Sequence, residues 1–206
     1  MSKYILHYFA GNGRAAIARA ILSYVKADWT NNFIKKEDWP KIKTSGLCEY
    51  EQVPVLEVGE KKYCESYAIY LYLAEKFDLM GKNPEENYQI VNLLMTIEDF
   101  GKVARDLFFA TEEAKKVEAK KNAEEKLKFF FEKFEKRYVE LRKGKYFLGE
   151  KFTLADIFLT VNLSSSLQLL GKSDFPCKAI APNLTEVINR VKENELKEFF
   201  EKYFIK

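Results

Sequence analysis

Apolar and polar positions alternate from Lys3 to Phe9, with Tyr4, Leu6 and Tyr8 on one face and Ile5, His7 and Phe9 on the other. That is the period of a β-strand. After the loop Ala10-Gly11-Asn12-Gly13, the apolar spacing from Arg14 to about Val25 lengthens to that of an amphipathic helix. Thr30 to Ile34 predicts a second short strand, and the polar stretch Lys35 to Gly46, with Asp38-Trp39-Pro40, a short helix or irregular segment. Val53 to Val58 is an apolar, β-branched run opened by Pro54, a residue suited to a strand entrance because it has no N–H to give to a ladder. Gly59-Glu60 predicts a turn and Lys61 to Cys64 a returning strand, so the two form a hairpin. Ser66 then stands where a helix N-cap belongs, followed by Ala68, Ile69, Leu71, Tyr72 and Leu73 at helical spacing.

The order over the first 77 residues is βαβ followed by ββα, the thioredoxin-like arrangement (βαβαββα with the short second helix). Polar residues Asp78 to Glu86, with Gly81 and Pro84, read as a linker. Everything beyond reads helical. Tyr88 to about Ala110 carries Ile90, Val91, Leu94, Ile97, Phe100, Val103 and Leu107 at threes and fours, and a second helix ends near Arg142 before Gly144. Leu127, Phe130, Phe131, Phe134, Tyr138 and Leu141 form its apolar face. Thr153-Leu154-Ala155-Asp156 is a capping box opening a helix that is apolar nearly all round. Pro182 starts another helix, and Glu193 to Phe204 predicts a last one. The expected fold class is α/β plus all-α: residues 1–77 thioredoxin-like, 78–86 linker, 87–206 a helical bundle.

Composition narrows the function classes. At 47% hydrophobic and 15% aromatic, the 206 residues can bury a sizeable core without disulfides or metals. Lys+Arg 34 against Asp+Glu 31 leaves a net charge of +3, and opposite charges alternate along helices such as Glu112 to Lys128. That is a solvated face and not a basic stripe, so nucleic acid is not an expected partner. No apolar run approaches membrane-spanning length, and the start, MSKYILHYF, is too short and too polar in its flanks for a signal peptide. Three scattered cysteines, Cys48, Cys64 and Cys177, suit reduced thiols in the cytoplasm. With His7 as the single histidine, a His/Cys metal site is not expected.

Candidate chemistry gathers at the hairpin. Val53 can pair its backbone with an extended peptide, as in strand addition. The first N–H groups of the following helix, with its dipole behind them, can hold a carboxylate. Together these describe a pocket for a small acidic peptide; the alternative is a scaffold that binds nothing. Gly11-x-Gly13 is not a dinucleotide fingerprint, because Ala16 stands where the third glycine belongs.

Tyr4-x-Leu6-x-Tyr8-Phe9-x3-Gly13-Arg14-Ala15, Asp38-Trp39-x3-Lys43, Gln52-Val53-Pro54-Val55-Leu56 and Ser66-x-Ala68-Ile69 occur in one order along the chain. In that order and spacing the sequence resembles the cytosolic glutathione transferases, closest to the sigma class, over essentially its whole length. The resemblance implies glutathione as co-substrate, with Tyr8 as the catalytic tyrosine. Only a thiolate is a useful nucleophile, and a glutathione thiol titrates near or above the roughly 8.5 of cysteine. A phenol donating to the sulfur favours the ionised form. A cation at a helix start, as at Arg14, is disfavoured by the dipole unless an anion lies near, and the resemblance makes Arg14 a support of the tyrosine and the sulfur. It further implies that Trp39 and Lys43 hold the glycine carboxylate, that the Val53 backbone, before a cis Pro54, pairs with the cysteinyl unit, and that Gln52 binds glutathione as well. Glu65 and Ser66 would take the γ-glutamyl end, joined by Asp99 of the partner subunit. Sigma proteins usually carry Gln where this chain has Glu65. Trp39 over a lysine stem is also ordinary surface packing, and Asp99 an ordinary solvated helix charge.

Tyr50 stands where relatives carry an aromatic that plugs the partner, so a homodimer is expected. Phe9, Gly101, Arg105, Phe108, Phe158, Asn162 and Phe204 are the expected electrophile pocket, although core packing explains Phe158 and Phe204 equally well. The resemblance leaves three activities open: conjugation of hydrophobic electrophiles with possible peroxide reduction, a glutathione-dependent isomerase of the prostaglandin D synthase type, or a non-enzymatic binding or structural protein. A thiol transferase needs a cysteine at the first helix start, and Tyr8 to Arg14 contains none.

Overall fold

The computed structural model describes residues 3–141, 144–171 and 177–204; the side chains at 100, 102, 104, 105 and 177 also lie outside the described set. Strand β1 (Tyr4–Tyr8) is central in a sheet of order β2-β1-β3-β4. β2 (Trp29–Phe33) runs parallel to β1, with Leu6 opposite Asn31. β3 (Val55–Val58) runs antiparallel to β1, with Leu6 opposite Leu56 and His7 opposite Val55, and β4 (Lys61–Tyr63) returns beside β3. The parallel β1–β2 pair requires a crossover, supplied by a 3-10 turn (Gly13–Ala15) that runs into α1 (Ala16–Tyr24). Every residue of α1 from Ala16 to Leu22 is buried. α2 (Trp39–Lys43) precedes the hairpin, and α3 (Ser66–Lys76) follows it and packs beside α1.

Ser66 is the first residue of α3, not its N-cap. That position belongs to Glu65, at φ +63°, because the buried Ser66 hydroxyl accepts a hydrogen bond from Arg14 in place of a first-turn N–H.

The helical elements are α4 (Pro84–Phe109), α5 (Glu113–Leu141), α6 (Leu154–Leu169), α7 (Cys177–Ile180) and α8 (Pro182–Glu193). α4 starts inside the stretch read as a linker. Pro84 suits the first helical position, and the Asn83 side chain accepts from the Glu86 N–H at 2.8 Å, so the polar residues there are a helix start. Leu141 is the last helical residue described in α5; Arg142 lies outside the described residues. The α5 carboxylate of Glu135 accepts from the N–H groups of Asn183 (3.2 Å) and Leu184 (2.8 Å), satisfying the exposed start of α8. The capping box at Thr153 and Asp156 is formed, and α6 is buried along most of its length.

The final helix expected from Glu193 to Phe204 is broken. α8 stops at Glu193, and α9 begins at Lys197 and ends at Tyr203. The chain divides into compact units of Met1–Leu79 with Glu195–Lys206, and of Met80–Asn194. Thus α9 packs on α1 in the first unit, although sequence order alone groups it with the bundle.

Candidate functional site

β1 ends at Tyr8, and the chain must then turn sharply to enter α1. Gly13 makes that turn at φ +38°, and a Cβ there would lie 2.6 Å from the Tyr8 Oη, so the glycine is required both by backbone and by space. The close approach lets the Arg14 backbone N–H donate to the Tyr8 Oη at 3.1 Å. With one lone pair engaged by an N–H, the phenolic proton is left to donate elsewhere. The Arg14 guanidinium donates to the Ser66 Oγ at 3.3 Å, and the Tyr70 hydroxyl donates to the Arg14 carbonyl. These bonds tie the Tyr8 turn to the start of α3.

Phe9 links Tyr8 to α2. Its ring is 5.5 Å from that of Tyr8 and 5.5 Å from that of Trp39, both edge-on. One α-helical turn places Lys43 on the Trp39 side of α2, as the four-residue spacing predicts. Lys43 Nζ lies 4.0 Å from Glu51, an exposed pair of little energetic worth that leaves the ammonium open to another anion. One step beyond the β1–β3 register, Pro54 falls opposite Tyr8, and the Val53–Pro54 peptide is cis. Val53 is half-buried, Gln52 exposed, and Glu65 exposed at its left-handed φ. Non-glycine residues in that region are uncommon and gather at ligand clamps. Tyr8, Phe9, Arg14, Trp39, Ser66 and Pro54 therefore share one end of the sheet.

The other expected residues are divided between the two units. Phe204 follows α9 in the first unit, against the rings of Phe199 and Phe200. In the helical unit, Asp99 is exposed and Gly101 half-buried on α4, while Phe108 is exposed. The Arg105 side chain lies outside the described residues. Phe158 is 2% exposed within that unit's core, and the Asn162 amide donates to the Phe158 carbonyl of its own helix at 2.9 Å.

Sequence reasoning missed Arg19. It is fully buried on α1, donating from Nε to Asn31 Oδ1 (2.9 Å), and from its two terminal nitrogens to Gly11 O (2.7 Å) and Phe9 O (3.0 Å). Its guanidinium lies over the rings of Tyr8 (5.9 Å), Phe33 (5.5 Å) and Tyr203 (5.5 Å). Burial pushes its pKa below the ordinary arginine range, with Tyr203 and Tyr8 opposing; arginine remains protonated all the same. The available signal was a lone charge inside the apolar run Ala15 to Leu22, which cannot be a solvated face. Asn31 and Asn12 were missed as well. Asn31 Nδ2 donates to the Tyr203 hydroxyl and Asn12 Nδ2 to the Tyr203 carbonyl, each at 2.9 Å, fixing α9 beside the turn.

Among the described residues, no group of three or more His, Cys, Asp or Glu is placed to hold a metal ion, and no helix is long and apolar enough to cross a membrane. Residues 4–75 match the family model for the glutathione S-transferase N-terminal domain, and residues 98–203 that for a glutathione S-transferase C-terminal domain. The chain is 36% identical to the probable glutathione S-transferase 5 of Caenorhabditis elegans over 53% of each chain. It is 31% identical to the hematopoietic prostaglandin D synthase of Rattus norvegicus over 93% of this chain and 91% of that one. Among solved structures, a monomeric glutathione S-transferase of the hookworm Necator americanus superposes with a TM-score of 0.84 at 26% identity, covering 97% of both chains. With both domain models matched in order and a relative aligned over nearly its whole length, this chain belongs to the glutathione S-transferase family, enzymes whose co-substrate is glutathione.

Proposed function

We propose that Tyr8 donates its hydroxyl hydrogen to the sulfur of bound glutathione and holds it as the thiolate, which then attacks an electrophilic carbon or a peroxide. The observation that carries this reading is the 3.1 Å bond from the Arg14 N–H to the Tyr8 Oη, which turns the phenolic proton outward and makes the phenol a better donor. The thiol proton leaves to solvent, so the tyrosine need not act as a base. Trp39 and Lys43 take the glycine carboxylate, by the indole N–H and by charge. The Val53 backbone, before Pro54, pairs with the cysteinyl unit, Gln52 binds the same peptide, and Glu65 and Ser66 take the γ-glutamyl end. Phe9, in ring contact with Tyr8, offers apolar surface to the electrophile, with Phe204 a second apolar group of the same unit.

In this reading the enzyme is of the sigma class and works in the cytoplasm as a homodimer. Tyr50, 55% exposed in the loop before β3, enters the partner, and Asp99 of the partner subunit completes the γ-glutamyl subsite. A glutathione-dependent isomerase of the prostaglandin D synthase type is the second reading, supported by the 31% identity to the rat synthase. Product analysis on an endoperoxide against a general electrophile separates the two.

The test is the ultraviolet thiolate absorbance of bound glutathione against pH, wild type beside Tyr8→Phe. The wild type is expected to titrate well below free glutathione. Tyr8→Phe should lose that shift, bind glutathione nearly as well and lose about a hundredfold in kcat/KM, or about 2.7 kcal/mol of transition-state stabilisation. An unshifted wild-type titration overturns the reading.

A further inference from the structure

Arg19 has an arrangement that packing alone does not explain. Its three hydrogen-bond partners, Asn31 Oδ1, Gly11 O and Phe9 O, are all uncharged, and no carboxylate among the described residues pairs with it. Buried charges are ordinarily paired, because an uncompensated one is costly to remove from water. The groups that face it are the Tyr8 ring from β1, Asn31 and Phe33 from β2, Tyr203 from α9, and the two loop carbonyls. Arg14, the other cation beside Tyr8, is half-buried and bonded to the Ser66 hydroxyl.

The identity of Asn31 is the telling detail. Its Oδ1 meets the Arg19 Nε at 2.9 Å, where an aspartate of the same size would give a charge-compensated pair. The Asn31 amide nitrogen instead donates to the Tyr203 hydroxyl, so both ends of the amide are engaged while the residue stays neutral. A positive charge with dipoles only around it, in a place water does not reach, projects a potential that salt screens little. The Tyr8 ring lies 5.9 Å from the guanidinium, within reach of that potential.

We propose that Arg19 is a positioning residue whose charge the fold leaves uncompensated, so that the glutathione thiolate held by Tyr8 serves as its counter-ion. The fork on Phe9 O and Gly11 O fixes the turn that carries Tyr8, and the charge lowers the pKa of the bound thiol. Asn31 preserves that charge by bonding it without neutralising it. The inference rests on the reading that Tyr8 holds the thiolate.

Replacing Arg19 itself risks the fold, so the decisive variant is Asn31→Asp, which keeps side-chain size and the acceptor to Nε while supplying the missing anion. The measurement is the thiolate absorbance of bound glutathione against pH, together with the pH profile of kcat/KM and the thermal midpoint. N31D should raise the bound thiol pKa by about one unit, a tenfold loss of kcat/KM on the acid limb with the high-pH plateau retained, and should raise the thermal midpoint. Asn31→Ser, neutral and short, should leave the thiol pKa within a few tenths of a unit while lowering the midpoint. An unchanged thiol pKa in a folded N31D overturns the inference. So does an N31D chain that is less stable or fails to fold, since a carboxylate beside an unpaired buried guanidinium must stabilise it. An equal pKa rise in N31S overturns it too, by making geometry and not charge the cause. Tyr8→Phe keeps the two readings apart. If Y8F leaves the thiol pKa unshifted, the Tyr8 reading fails; if Y8F raises it and N31D does not, only the role of Arg19 fails.

Discussion

Among the described residues, Arg19 in one compact unit and Asp156 in the other are each almost completely buried, and the two are handled in opposite ways. Arg19, in the first unit, donates to three neutral oxygens and has no way to shed its charge. Asp156, in the helical unit, is 1% exposed at the start of α6 and accepts from the Phe147 N–H (2.8 Å), the Thr153 N–H (2.9 Å) and the Thr153 hydroxyl (3.1 Å). Those bonds favour the carboxylate, yet burial outweighs them and pushes its pKa up to about 6. A carboxyl group can take a proton when its surroundings are poor; a guanidinium cannot. The charge at Asp156 is therefore conditional on pH, while that at Arg19 is a permanent potential. One serves as a cap, whereas the other lies over the ring of the proposed catalytic tyrosine.

The strongest way to test the capping side of that contrast is Asp156→Ala. It leaves the Phe147 and Thr153 N–H groups buried without acceptors, at about 1–3 kcal/mol each, so a loss of about 4 kcal/mol is expected in urea unfolding. A loss below about 1 kcal/mol would mean that water or a shifted backbone satisfies both groups.

The conditional charge is tested by pH. With a folded pKa of about 6 against 3.8 unfolded, the folded state binds the proton more tightly between those values. The contribution of Asp156 to stability is then fully present below pH 3.8 and is lost as pH rises through about 6. Relative to Asp156→Asn, the wild type should lose up to about 3 kcal/mol across that window. A flat difference would show that the hydrogen bonds cancel burial, and a slope of the opposite sign that they dominate it.

The tyrosine side is sharpened by Gly13→Ala. A Cβ 2.6 Å from the Tyr8 Oη, at φ +38°, must displace either the hydroxyl or the turn. The expected result is about 1–2 kcal/mol of destabilisation and roughly a tenfold fall in kcat/KM, with most of the glutathione affinity kept. Loss of affinity without loss of thiolate formation would assign Gly13 to binding and not to Tyr8.

The same contrast explains what could be read from the sequence. The Thr153–Asp156 box was legible because a cap is local: donor and acceptor are three residues apart and the apolar run follows. The succession of strands and helices along the first 77 residues and the hairpin were legible for the same reason, through period and turn residues, whereas the stretch around Trp39 read equally as a short helix or an irregular segment. Arg19 was not, because its partners come from β2 and from the turn after β1, and period says only that the position faces inward. Ser66 illustrates the reverse error. Its identity favours a cap, but Arg14, 52 positions earlier, claims the hydroxyl. The break between α8 and α9 was hidden because Glu193 to Phe204 keeps a helical pattern across it, while the bonds that seat α9 run from Asn12 and Asn31 to Tyr203.

His7 gives the smallest effect and a third outcome for a buried ionisable group. Asn32 Nδ2 donates to its Nδ1 at 2.8 Å, which fixes the proton of the neutral ring on Nε2, 3.2 Å from the Glu57 carboxylate. Burial lowers its pKa, and the hydrogen bond and charge of Glu57 push back without prevailing. A group whose folded pKa is depressed supports stability above its unfolded pKa, and that support is lost as pH falls through the folded one. The wild type should therefore lose stability relative to His7→Gln as pH drops below 6.5, the ordinary histidine value, until the folded-state ring itself takes a proton. This slope has the same sign as that of a salt-bridged carboxylate and the opposite sign to that of Asp156. If the wild-type urea midpoint instead rises relative to that of His7→Gln on acidification, the Glu57 pair outweighs burial. His7 would then join Arg19 as a charge that the first unit keeps.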